Sequence, residues 1–344
     1  MKKNNLSVIF VVLALAFTFT MVSCVKNNPG TPIVTSTATP VATAADAKIW
    51  TQSSVAAGFI PRAQSSSVAF NGKMWVLTGS SLTTRYNDIW NTIDGITWTP
   101  VTRNAAFTGR YGHSSAVFTN ISAGPNPGVE KMWIIGGYNN GYFNDVWCSS
   151  DGIFWTQTTS NAGFGNRAEQ STVVYNGLMW VIAGDITSNI CTNDVYSSGD
   201  GVNWAQVASN AGFPKRKQHS SVVFNNKMWV IGGYDNSSYY NDVWYSSNGI
   251  TWYSATLNAA FCPRNGHTSL VYDNKMWVIG GFSPTNNVLN DCWYSTDGVI
   301  WTNAGVTTPF TSRTYHNGVL YDNKMWVIAG AIGGTCLSDV WWTQ

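Results

Sequence analysis

The feature that most constrains this chain is the phrase Lys227-Met228-Trp229-Val230-Ile231-Gly232-Gly233, which occurs six times with small changes. The other copies carry Met74-Trp75, Met132-Trp133, Met179-Trp180, Met276-Trp277 and Met325-Trp326. An apolar pair follows each Met-Trp, and the copies end in Gly79, Gly137, Gly184, Gly233, Gly281 and Gly330. Next come a short loop, Asn-Asp-Val-Trp or a near copy, a Gly-containing turn and another Trp. Self-similarity at a period of roughly 50 residues points to a solenoid, an array or a propeller before any other architecture.

The fourth repeat shows how one unit should fold. Arg216 to Phe224 is rich in β-branched residues and reads as a first strand. Asn225-Asn226-Lys227 makes a tight hairpin turn, because Asn tolerates positive φ. Met228 to Ile231 is apolar throughout, as a strand buried on both faces requires. Gly232-Gly233 opens a loop, Asn241 to Tyr245 is a third strand, and Ser246-Ser247-Asn248-Gly249 turns into a fourth, Thr251-Trp252-Tyr253. Four strands without helical period describe a propeller blade. The last repeat ends at its third strand, Asp339 to Trp342, and an unattached strand, Lys48 to Thr51, precedes the first. The expectation is an all-β, six-bladed β-propeller over 48–344, closed by the N-terminal strand pairing with the C-terminal blade.

The residues before it read differently. Lys2 and Lys3 precede an apolar run from Val8 to Phe19, too short for a comfortable span, and Met21-Val22-Ser23-Cys24 follows. That tetrapeptide resembles a bacterial lipobox, which implies a signal peptide over 1–24, lipidation at Cys24 and a membrane anchor outside the cytoplasm, in the periplasm or on the outer-membrane surface. Residues 25–47, rich in Thr, Ala and Pro, read as a flexible tether. The remaining cysteines, Cys148, Cys191, Cys262, Cys292 and Cys336, are odd in number and fall on different repeat positions. They read as scattered thiols, with room for one opportunistic bridge. With 19 basic and 17 acidic side chains and 10% charged residues, the chain has no basic concentration for nucleic acid. A monomer is expected.

Two resemblances cover the repeat region. The Arg opening each unit, the Gly-Gly after the second strand and the later Trp resemble the kelch motif, also the frame of galactose oxidase, although Thr78, Ala183 and Ala329 replace the first Gly in three units. Ser149-Ser150-Asp151-Gly152-Ile153-Phe154-Trp155 and Ser295 to Trp301 resemble the Asp-box of sialidases, with looser copies at Thr92, Ser198 and Ser246. That resemblance implies a fold element remote from catalysis, whose side-chain oxygens bond turn amides.

Chemistry-bearing residues also repeat. Arg62, Arg110, Arg167, Arg216, Arg264 and Arg313 open the units, and three residues later stand Ser65, His113, Gln170, His219, His267 and His316. Two polar rings near one channel mouth are expected, either as fold elements or as a clamp for a carboxylate or phosphate. The variable loops on that face add Tyr138, Tyr142, Tyr234 and Tyr239, flat surfaces suited to a glycan or protein ligand. Free carboxylates there are Glu169, Asp185 and Asp235, while the repeated Asp88, Asp145, Asp194, Asp242, Asp291 and Asp339 read as bonding the loop before the third strand. No spacing selects a metal, a cofactor, a phosphate loop or a copper-radical site like that of galactose oxidase. The reading is a non-enzymatic binding module for a protein or glycan. Its alternative is an enzyme on acidic sugars, similar to N-acetylneuraminate epimerase or sialidase, with Glu169, His219 or His267 moving protons.

Overall fold

The computed structural model describes residues 48–120, 128–187, 189–305 and 308–344. The leader, Cys24, the tether and most of the long first turn of the second unit (119–127) lie outside the described residues. The fold is an all-β propeller of four-stranded blades. One blade consists of Ser220–Phe224, Lys227–Tyr234, Tyr239–Ser246 and Tyr253–Thr256, each strand antiparallel to the next. Three other separate four-stranded sheets repeat this order around the second strands Lys73–Ser80, Lys275–Ser283 and Lys324–Ile332. Two further sets of four, around Glu130–Tyr138 and Leu178–Ile186, join into one nine-stranded sheet through the two-residue strand Arg167–Ala168. Thr51–Ser54 pairs antiparallel with Thr335–Thr343, so the first described strand completes the last sheet.

The second strands are buried because they lie between neighbouring sheets: Met228, Val230 and Ile231 are wholly covered. Five of the six Met-Trp indoles reach beneath the Gly of a neighbour's turn; the sixth, Trp277, has Lys48 over its ring instead. A Cβ on Gly298 would meet Trp229 at 2.1 Å, one on Gly201 would meet Trp133 at the same distance, and one on Gly95 would meet Trp326 at 2.2 Å. That last contact joins the first unit to the final one. The turn is held by its own side chains: Ser149 Oγ accepts the Gly152 amide at 2.8 Å, and Asp151 Oδ1 accepts those of Ile153 and Phe154. The same bonds recur around Asp94, Asp200, Asn248 and Asp297.

Two boundaries differ from the sequence reading, for one reason. The inner strand starts at Ser220 and not at Arg216, because Gln218 takes a left-handed φ of 53° that interrupts the strand. The second strand runs through Gly232-Gly233 to Tyr234 with a bulge between Ile231 and Gly233. The bulged residue has positive φ in every unit, including Thr78 (56°), Ala183 (54°) and Ala329 (59°), so the departure from Gly at these sites carries local strain. The second position tolerates no such change. Gly233 has φ 98°, and its Cβ would meet the His219 Cβ at 2.8 Å. In denaturant unfolding, Gly233→Ala should therefore cost well above the roughly 1 kcal/mol of left-handed strain alone. Gly72→Ala, at φ 66° in open space, should cost only that strain.

Candidate functional site

The site is best built outward from the six arginines. Each is buried, and each guanidinium forms a two-pronged pair with the repeated aspartate of its own unit. Arg62 meets Asp88 at 2.7 and 2.8 Å, Arg216 meets Asp242 at 2.7 and 2.8 Å, and Arg264 meets Asp291 at 2.7 Å twice. Arg110–Asp145, Arg167–Asp194 and Arg313–Asp339 repeat the pair. The same guanidinium donates to the carbonyl of the bulged residue, as Arg216 does to Gly232 at 2.7 Å. In every unit but that of Asp194, where Tyr196 takes the place of Trp, the aspartate also accepts an indole N–H two residues on, as Asp242 does from Trp244 at 2.8 Å. This corrects the expectation of an arginine mouth. Arg62, Arg110, Arg167, Arg216, Arg264 and Arg313 sit inside the blades, saturated by carboxylate and carbonyl, and none offers a ligand a free donor face. The aspartates serve the arginines, and Asp194 also accepts the hydroxyl of Thr192 at 2.7 Å.

His113, His219, His267 and His316 surround, with Ser65 and Gln170, a small chamber of about 130 Å³ on the axis. Three of them tie one unit to the next: Ser66 Oγ lies 2.7 Å from His113 Nε2, and Ser171 and Ser220 lie 2.8 Å from His219 and His267, whereas neither ring nitrogen of His316 has a hydrogen-bond partner among the described residues. Burial, then the neighbouring arginine charge, pushes all four rings down to about 3. Neutral rings holding hydroxyls are structural and poor proton carriers at ordinary pH, which corrects His219 and His267 as catalytic candidates.

Between each arginine and its histidine position, two residues vary. The second of these, Gln64, Gly112, Glu169, Gln218, Gly266 or Tyr315, has a left-handed φ of 52–61° in every unit. Its amide donates to the equivalent carbonyl of the preceding unit. Gly112 bonds Gln64, Glu169 bonds Gly112, Gln218 bonds Glu169, Gly266 bonds Gln218, Tyr315 bonds Gly266, and Gln64 bonds Tyr315, at 2.6–3.1 Å. The six bonds return to their start. The side chains on this circle point together: Gln64 and Gln218 donate to Glu169 Oε1 at 2.9 and 2.5 Å, and Tyr315 and Asn265 donate to Gln218 Oε1 at 2.9 and 2.6 Å.

Beside this plug opens a cavity of about 470 Å³, reaching Glu169, Lys217, Asp185 and Asn189 and walled by Tyr111, Tyr138, Tyr142 and Tyr234. Lys217 Nζ lies 3.2 Å from Asp185 Oδ2 and 3.8 Å from Glu169 Oε2, and it also donates to Asn189 Oδ1. Tyr142 OH donates to Asp185 Oδ2 at 2.6 Å. Burial raises the Glu169 carboxyl above its ordinary value, against the pull of Gln218 and Lys217. Burial, then the Asp185 hydrogen bond, raises the Tyr142 phenol far up.

The cavity thus gathers Glu169, Asp185, Tyr138, Tyr142 and Tyr234. Tyr239 instead stacks on Tyr234 at 5.2 Å from outside, and Asp235 is engaged by its own loop and the Tyr240 hydroxyl. Sequence reasoning missed Gln64, Tyr111, Lys217, Gln218 and Tyr315. Their signal was present: the two positions after each arginine are the variable ones inside an otherwise repeating phrase. None of the five cysteines beyond the leader forms a disulfide among the described residues. Among the described residues no cluster of ligating side chains suits a metal ion.

Residues 150–293 match the family model of the KLHDC2/KLHL20/DRC7 Kelch-repeats domain. No curated protein matches the chain. The matched stretch, less than half of the chain, is similar to Kelch-repeat domains, which commonly serve in protein interaction.

Two outcomes check this reading of the rings. Arg216→Ala should destabilise by about 3–5 kcal/mol in chemical denaturation, since it leaves Asp242 buried without its counter-charge. The histidines take up protons near pH 6.5 when unfolded but near 3 when folded. The unfolded chain therefore binds more protons in that window. Their contribution to stability is full above pH 6.5 and falls as pH drops toward 3, by about 1.4 kcal/mol per pH unit for each ring. Melting curves should move down between pH 7 and 5. His219→Gln should flatten that slope, because Gln170 already fills the same position and donates to the Ile135 carbonyl.

Proposed function

We propose that the chain is a six-bladed Kelch-type propeller, closed by Thr51–Ser54 on the final blade, that works by binding a ligand at the cavity around Glu169, Lys217 and Asp185. The observation that carries this is the break in symmetry. Among the twelve residues that occupy the two variable positions after the arginines, only Glu169 and Lys217 are charged, and they lie against one cavity. A fold element repeats in every unit, as the arginines do, whereas a site for one ligand departs from the repeat. The tyrosines add rigid apolar faces with hydroxyl tips, the composition of a recognition surface.

The leader sequence completes the proposal. Its lipobox-like Cys24 would fix the domain to a membrane, with the tether of 25–47 leaving the propeller free to meet its ligand outside the cytoplasm. The domain itself spans 48–344 and needs no cofactor to bind. An acidic sugar is disfavoured as ligand or substrate, because the six guanidiniums meant to hold its carboxylate are paired with aspartates. The raised Glu169 carboxyl is the one observation that favours an enzyme at this cavity, since perturbed groups cluster where proton transfer occurs.

A thermal-shift screen of the full chain against oligosaccharides and peptides separates the readings. A ligand at a hundred times its dissociation constant adds about 2.7 kcal/mol. Tyr138→Ala and Glu169→Gln should abolish whatever shift is found, Phe154→Ser on the opposite face should preserve it, and the ligand should be recovered unchanged. A shift that survives both cavity substitutions but is lost in Phe154→Ser contradicts the site, and a chemically altered ligand replaces the binding role with an enzymatic one.

A further inference from the structure

We infer that the cavity takes an uncharged, hydroxyl-rich ligand, the end of a neutral glycan, whose hydroxyls donate to Asp185 and Glu169 while its ring lies on the tyrosine faces. The inference rests on the binding reading of the same cavity. It starts from one atom. Asp185 is 5% exposed, yet among the described residues its Oδ1 has no hydrogen-bond partner, while Oδ2 accepts from Tyr142 and Lys217. A buried carboxylate oxygen left unpaired is costly, and a donor arriving from a ligand would relieve that cost. Glu169 repeats the condition in milder form. Its Oε1 is occupied by Gln64 and Gln218, whereas Oε2 has Lys217 only at 3.8 Å. The cavity therefore asks for donors.

Charge narrows which donors. An anionic ligand would face two carboxylates, with Lys217 already engaged between them and every arginine of the ring paired. A cationic ligand would compete with Lys217, which holds the position between the carboxylates and sits over the Tyr234 ring at 5.2 Å. Hydroxyl groups meet neither obstacle. They donate to carboxylate oxygens and accept from the Lys217 ammonium and the Asn189 amide within one small space. Tyr111, Tyr138 and Tyr142 form a run of rings at 5.5 and 5.0 Å that offers apolar faces to the C–H side of a sugar. The volume, about 470 Å³, is that of a small-molecule site and not of a flat protein contact.

The test is titration calorimetry of the full chain with an array-selected set of neutral oligosaccharides (glucose, galactose, xylose and N-acetylglucosamine trimers), beside trigalacturonate and tetralysine. At least one neutral trimer should bind, and both Asp185→Ala and Tyr138→Ala should weaken it by about tenfold or more. Tyr138 is half-buried at the cavity wall, so its variant keeps the test decisive where Asp185→Ala does not fold. Binding of trigalacturonate or tetralysine in place of every neutral trimer, lost in Tyr138→Ala, overturns the ligand class while leaving the cavity as the binding site. Neutral-glycan binding that ignores both substitutions overturns the ligand assignment and the site together, and no binding by any neutral trimer overturns the inference.

Discussion

The structure depends on one buried interaction, the arginine that grips an aspartate with two donors and the bulge carbonyl with a third. Arg216 shows it in full: Asp242 takes both prongs, the Gly232 carbonyl takes a third bond, and Nε donates to the Pro214 carbonyl at 3.0 Å. A buried ion pair seldom adds much net stability, because desolvation offsets the attraction. Its contribution here is geometric. It fixes where the second strand bulges, and the bulge sets the backbone of Gly233, whose amide donates to the Arg264 carbonyl of the next unit at 2.8 Å. Each blade is thereby registered on its neighbour by backbone, close to the axis. At the opposite face the indole beneath the turn glycine registers the same two blades by packing.

This registration produces the circle of left-handed residues. Once the amides of Gln64, Gly112, Glu169, Gln218, Gly266 and Tyr315 are committed to one another, their side chains have no direction left but the axis and the cavity beside it. The scaffold is therefore symmetric and its contents are not. Two glycines leave room, two glutamines and a tyrosine fill the centre, and one glutamate is held by amides where its charge meets Lys217. The two positions after each arginine carry this asymmetry on a backbone dictated by the repeat.

The fold was legible because its constraints repeat. A Trp that must pass under a glycine, an apolar second strand and an Asn turn recur in register, and each recurrence removes an alternative. The site was legible only in part. Glu169, Asp185 and the tyrosines were readable as the unrepeated polar residues of one face. The arginines were misplaced because Arg216 precedes the first strand while Asp242 lies in the third, and a separation of 26 residues does not reveal that the blade folds one onto the other. Gln218 was hidden by a strand-like sequence whose positive φ is imposed by the circle and not by local propensity. Lys217 and Gln64 carried a signal, variation inside a fixed phrase, that is seen only after the phrase is recognised as fixed.

Six amides from six successive units close one ring and so hold the cavity residues together. Native-state hydrogen exchange, read residue by residue, tests it most directly. The amides of Gln64, Gly112, Glu169, Gln218, Gly266 and Tyr315 should exchange slowly and together, with the protection of global unfolding. Fast exchange at Gln64 and Tyr315, where the first and last units meet, beside protection at the other four, would show that the ring is open and would contradict the account.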